Sequence, residues 1–126
     1  MEIIIIVLVF IAFDILTGFI KAVSTKTINS KIMREGLIHK IGEIVLLGLS
    51  TFIEFYALTF IDLPFDVPLM KVTSIYIIAM ELISILENIS VINPNLSKII
   101  TPYLDKVKNH EKEITDGGEK NNENRN

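Results

Sequence analysis

The sequence predicts an all-α membrane protein with three transmembrane helices, a short cytoplasmic amphipathic helix and a disordered C-terminal tail. Three observations predict this class. Residues 2–20, 37–61 and 67–86 are apolar stretches of about twenty residues each, and crossing a hydrocarbon core roughly 30 Å thick takes about 20 helical residues. Half of the 126 residues are hydrophobic, and a chain this short cannot bury three uniformly greasy helices and still offer a polar surface. Residues 111–126 (EKEITDGGEKNNENRN) hold a single aliphatic, Ile114, and have nothing to contribute to a packed core.

Taken in order, the first stretch reads as a retained helix and not a cleaved signal peptide. A signal peptide needs a basic n-region, a short apolar core and a small-residue cleavage site. Here Glu2 follows Met1, the apolar run is of spanning length, Ala22-Val23-Ser24 is a poor cleavage site, and the first lysine, Lys21, comes only after the span. A polar loop over residues 24–34 follows, and Ser30 is expected to cap a short helix leading into the second span. The second helix should end near Ile61, because Pro64 and Pro68 in the acidic segment DLPFDVP remove amide donors and oppose helix on their N-terminal sides. A tight hairpin then leads into the third span.

Past that span, Asn93-Pro94-Asn95 is a turn signal. Leu96, Ile99, Ile100, Tyr103, Leu104 and Val107 then recur at helical spacing, with Lys98, Asp105, Lys106 and Lys108 on the other side. This is the pattern of a helix lying among anionic headgroups, and Pro102 inside it predicts two short pieces. The domain division is therefore a three-helix transmembrane domain over 1–92, a juxtamembrane amphipathic segment over 93–110 and the disordered polar tail over 111–126. There is no room for a separate soluble domain.

Loop charge sets the orientation. Lys21, Lys26, Lys31, Arg34 and Lys40 flank the first connection, and Lys98, Lys106, Lys108, Lys112, Lys120 and Arg125 follow the last span, whereas residues 62–68 carry no base. Basic segments stay in the cytoplasm, so the N-terminus is expected outside and the C-terminus inside a bacterial cytoplasmic membrane. Lys21, Lys26, Lys31, Arg34, Lys40, Lys98, Lys106 and Lys108 are the expected contacts to lipid headgroups.

Ionisable residues within spans are costly, upward of about 2.5 kcal/mol at the bilayer centre, so those present need a reason. Asp14, Thr17, Gly18 and Lys21 fall on one face of the first helix. Glu43 and Glu54, almost three whole turns apart, project the same way from the second, and Ser74, Glu81, Ser84 and Asn88 form one stripe on the third. Such thin polar lines face other helices or water. Asp14, Thr17, Gly18, Glu43, Glu54, Ser74, Glu81, Ser84, Glu87 and Asn88 are accordingly the candidate interface or pore residues. Two readings compete: interhelical hydrogen bonds inside a static bundle, with Gly18 and Ala22 as a small-residue contact, or polar lines shared between protomers of a homo-oligomer around an aqueous lesion. Four acids with one lysine near the end of a span exceed what three helices are expected to shelter, which favours assembly.

The absences narrow the chemistry. With no cysteine there is no disulfide and no thiolate site, and His39 and His110 lie far apart without ligand spacing, so no metal site is expected. No Ser/His/Asp set, glycine-rich phosphate loop or substrate-flanking acid pair is present, so neither an enzyme nor a cofactor is expected. Lipid accounts for the basic first loop without invoking nucleic acid.

Three separated blocks carry a resemblance. DILTGFIKA (Asp14 to Ala22) followed by Asn29-Ser30, GLIHKIGEI (Gly36 to Ile44) and ELISILENISVINPNLSKIITPYL (Glu81 to Leu104) resemble, in order and spacing, the holin family of Gram-positive phages that includes the clostridial toxin-secretion holins. The resemblance covers roughly residues 8 to 108. It departs at Asn93, where relatives often have Gly, and near Ser97, where they carry a further Pro. Asn tolerates the left-handed turn geometry, so the turn can persist.

The resemblance implies a phage lysis protein that accumulates in the cytoplasmic membrane, oligomerises and forms timed lesions. An endolysin, or in some relatives a toxin, escapes through them as cargo without stable binding. Two alternatives come from other classes: a small ion or solute channel or transporter subunit using Asp14 and Glu81 as relay carboxylates, and an antiholin or membrane scaffold. Internal repeats and broken helices, the usual marks of transporters, are not evident in the sequence.

Overall fold

The computed structural model describes the backbone of residues 1–123, and the side chains through His110 together with Lys112 and Glu113. Four helices follow one another: α1 (Glu2–Ser24), α2 (Ser30–Phe52), α3 (Leu69–Ile92) and α4 (Pro94–Glu123). The second span extends past α2 through one π-helical turn, Ile53–Ala57, and one 3-10 turn, Leu58–Phe60. Three helical stretches, Glu2–Ser24, Ser30–Phe60 and Leu69–Ile92, are long and apolar enough to cross a membrane. β-Branched Ile and Val crowd α1, but in lipid the helix is imposed by the need to satisfy every backbone group within the segment.

Helix ends follow local chemistry. At the end of α1, Thr27 N–H donates to Ala22 C=O at 3.0 Å and Lys26 N–H to Val23 C=O at 3.2 Å, with Lys26 left-handed at φ 54°. That pair of bonds is a Schellman motif built on a non-glycine residue. The connection is shorter than its polarity predicts. α2 starts at Ser30 without a preceding short helix, and the cap is Asn29 rather than Ser30, since Asn29 Oδ1 accepts the Lys31 N–H at 2.9 Å.

α3 is the central helix: it packs against α1, α2 and α4, and its contact with α1 is the most extensive. α1 and α3 run parallel, because Met1 to Ile3 share a cavity wall with Met70 and Lys71 while Asp14 meets Asn88. The first connection and the start of α4 therefore lie at one end of the bundle, and the N-terminus and the 61–68 loop at the other. Val7, Ile11, Leu47 and Ile77 form the buried apolar core. Outside it the spans are largely uncovered, with Ile5, Phe13, Ile38, Val45, Phe52 and Tyr76 all exposed, as a lipid-facing surface requires.

α4 corrects one expectation. It is a single helix of 30 residues that passes through Pro102, not a short helix in two pieces. Proline deletes one amide donor, and the carbonyl it orphans, that of Lys98, belongs to an exposed residue where water can satisfy it. The backbone of the polar stretch from Glu111 continues this helix to Glu123, and residues 124–126 of the expected tail lie outside the described residues. Leu104 is buried against the bundle, while Ile99, Tyr103 and Val107 remain exposed.

Candidate functional site: an ion cluster between the three spans

The acids of the three spans converge on one base. Lys40 of α2 points its ammonium at Asp14 of α1, 2.9 Å away, at Glu81 of α3 in direct contact, and at Glu43 one turn along its own helix, 3.6 Å away. Asp14 and Glu81 lie near the midpoints of 23- and 24-residue helices, so the cluster sits deep between the ends of the bundle. Its buried side chains have almost no solvent contact, 1% for Glu81 and 10% for Asp14, whereas Glu43 keeps 27% of its surface exposed.

Neutral groups complete the seam between α1 and α3. Asn88 donates its side-chain amide to Asp14 Oδ1 and to Thr17 Oγ1, both at 3.2 Å, and the Thr17 hydroxyl donates back to Phe13 C=O at 2.9 Å. Gly18 lies against the same amide: a Cβ there would meet Asn88 Nδ2 at 3.6 Å, an ordinary contact. Between α2 and α3, the Ser50 and Thr73 hydroxyls share a hydrogen bond of 2.8 Å. Two atoms have no partner among the described residues: Glu43 Oε2 and Glu81 Oε2 are buried without a hydrogen-bond donor.

Most of the residues singled out in the sequence are thus placed at helix seams, but not all in one site. Asp14, Thr17, Gly18, Glu43, Glu81 and Asn88 come together. Ser74 is fully buried and spends its hydroxyl on Met70 C=O of its own helix, 2.7 Å away, and Ser84 is half-buried. Glu54 faces α3 as Glu43 does, yet at the other end of the bundle. There its Oε2 accepts the Met70 N–H at 2.6 Å and supplies the first turn of α3 with the acidic cap that Pro68 cannot provide. Glu87 pairs with Lys108 of α4 at 2.5 Å, and this exposed contact holds the Lys108 ammonium above its ordinary pKa.

Lys40 is the largest departure from the sequence reading, which counted it with the headgroup lysines. α2 begins earlier than expected, so Lys40 stands ten residues inside a helix, beside the acids of α1 and α3. The spacing of Lys40 and Glu43, one turn apart, was the available signal. Lys26, Lys31, Arg34, Lys98, Lys106 and Lys108 are exposed and Lys21 is half-buried. Ser50 and Thr73 were missed; each is a common hydroxyl residue on an apolar helix, and only the pairing of α2 with α3 marks them. Among the described residues no group of His, Asp and Glu side chains is arranged to hold a metal ion.

Comparison with known proteins agrees with this architecture. Neither a curated protein nor a solved structure matches the chain. One family model does, over residues 1–109, which spans all three transmembrane helices, the charged cluster and the first half of α4. That family consists of membrane proteins without enzymatic activity, in keeping with a site made of ion pairs and amide bonds. The chain is a multi-pass membrane protein and belongs to the bacteriophage holin family.

Proposed function

We propose that this holin inserts in the bacterial cytoplasmic membrane with its N-terminus outside and its C-terminus inside, assembles into homo-oligomers and opens timed lesions through which an endolysin, or a toxin, escapes. The observation that carries the reading is the exposed edge of Glu43. Ionisable side chains at membrane depth face a bundle interior or water, and lipid is a costly neighbour for them. Glu43 keeps 27% of its side chain uncovered while its Oε2 is turned into the cluster. A second copy laid against this face covers it, and an aqueous rim between copies solvates it.

The residues of the seam take two roles in this reading. Asp14, Thr17, Asn88, Lys40 and Glu81 hold each protomer together. Glu43, with the exposed positions His39 and Leu46 one turn either side and Gly42 next to it, forms the surface where copies meet. The exposed lysines of the first connection and of α4 lie at one end of the bundle and contact cytoplasmic headgroups, which sets the orientation. The polar stretch from Glu111 adjusts timing through lipid electrostatics and does not support the fold.

Induced expression in a bacterial host tests the proposal. A lesion-forming holin produces a delay and then an abrupt loss of viability, and co-expressed endolysin clears the culture at that moment. Ion leakage from the start of induction identifies a selective channel instead, and neither effect identifies a scaffold or antiholin.

A further inference from the structure

We infer that the cluster is a proton-binding site: one proton is held between the carboxyl groups of Glu43 and Glu81 while the protomer is intact in the membrane. The inference needs only the membrane-embedded bundle and stands apart from whether copies open a lesion.

Charge counting comes first. The groups that meet here are Asp14 from α1, Lys40 and Glu43 from α2 and Glu81 from α3, with the neutral Asn88 and Thr17 beside them. Fully ionised, three carboxylates against one ammonium leave a net charge of −2. An idealised transfer of a carboxylate from water into a medium of low dielectric costs about 20 kcal/mol, and several kcal/mol after relaxation, so a lone ammonium cannot offset three. A buried group in that position neutralises instead.

Hydrogen-bond counting then says where the proton sits. Asp14 is provided for, with the Lys40 ammonium on Oδ2 and the Asn88 amide on Oδ1. Glu81 receives Lys40 on Oε1 only, and its Oε2 is buried and unpaired. Glu43 Oε2 is likewise buried without a donor, 3.6 Å from an ammonium already engaged by the other two acids. Both carboxyl groups face the same Lys40 ammonium, Glu81 in direct contact and Glu43 at 3.6 Å. As two carboxylates they offer each other only acceptors. One proton turns one of them into an O–H donor, satisfies the orphaned oxygens and lowers the net charge to −1.

The device has one outlet. Glu81 is sealed, but Glu43 is partly exposed on the surface of α2, so proton exchange proceeds through Glu43. Whatever wets that face, including a rearrangement of neighbouring copies, removes the reason for holding the proton.

Infrared spectroscopy of the full-length chain in vesicles of ether-linked phosphatidylglycerol, which has no ester carbonyl, at neutral pH tests this without any lysis readout. The wild type is expected to show the C=O band of a protonated carboxylic acid. Glu43→Gln and Glu81→Gln are each expected to abolish it, and Glu54→Gln to leave it in place. Absence of the band in the wild type overturns the inference, as does a band that survives either Gln substitution at 43 or 81. If one of those variants fails to insert, the other carries the assignment, since both hold the same proton.

Discussion

The side-chain amide of Asn88 donates to the Asp14 carboxylate at 3.2 Å, joining residues 74 positions apart and fixing the register of two parallel helices. This contact lies in the largest helix–helix seam of the bundle, that between α1 and α3. Interhelical hydrogen bonds in membranes average about 0.6 kcal/mol and reach about 1.7 kcal/mol. Asn88→Ala removes two of them and withdraws a donor from a buried carboxylate, so a loss of about 1–2 kcal/mol is expected. Denaturation of the purified protein in detergent checks it, with Asn88→Asp expected to be worse than Asn88→Ala because it adds a fourth acid.

Lys40 should be the least replaceable base in the chain. Removing one partner of a buried ion pair costs about 3–5 kcal/mol, and here three acids lose their common cation. Lys40→Met is expected to deplete the inserted protein strongly, whereas Lys26→Met and Lys31→Met, both exposed, are expected to change its level little. Immunoblots of washed membranes after equal induction measure this. Equal depletion by all three would mean that Lys40 acts as another headgroup lysine.

Glu54 caps a helix to which it does not belong. Loss of its bond to the Met70 N–H should cost about 1–2 kcal/mol, the scale of an N-cap, and should act locally. In Glu54→Ala the amides of Met70 to Val72 are expected to exchange hydrogen faster, while those around Ile77 stay protected. Uniform protection across α3 would assign Glu54 no capping role.

The parallel pairing of α1 with α3 places the 61–68 loop and the N-terminus at one end of the bundle, and the chain has no cysteine of its own to interfere with labelling. Single cysteines at Asp66 and Thr27 therefore report orientation. An impermeant maleimide added to intact cells is expected to label position 66 and spare position 27. The opposite pattern would invert the proposed topology.

Much of this was legible in the sequence because hydrocarbon is an undemanding solvent to read. Length and apolarity alone place three spans, and Pro64 and Pro68 mark the hairpin. Helical spacing also put Asp14 with Thr17 and Gly18, and Glu81 with Asn88, on faces that turn out to meet. Partnership was not legible. Whether Lys40 joins the headgroups or the interior depends on where α2 begins, and that is settled by the Asn29 cap and the left-handed Lys26, both weak signals next to a polar loop composition. Pro102 misled because proline's effect on a helix depends on whether water reaches the carbonyl it orphans.

The central claim is that copies meet across the face of α2 that carries Glu43, and disulfide trapping at that face is its most direct test. Leu46 is exposed one turn from Glu43, so Leu46→Cys in the cysteine-free chain places one thiol at the proposed contact. Under mild oxidation after induction, disulfide-linked dimers are expected to accumulate before viability falls, and Glu43→Lys in the same background is expected to prevent both. Abrupt lysis by a Leu46→Cys protein that remains wholly monomeric under oxidation would contradict the account.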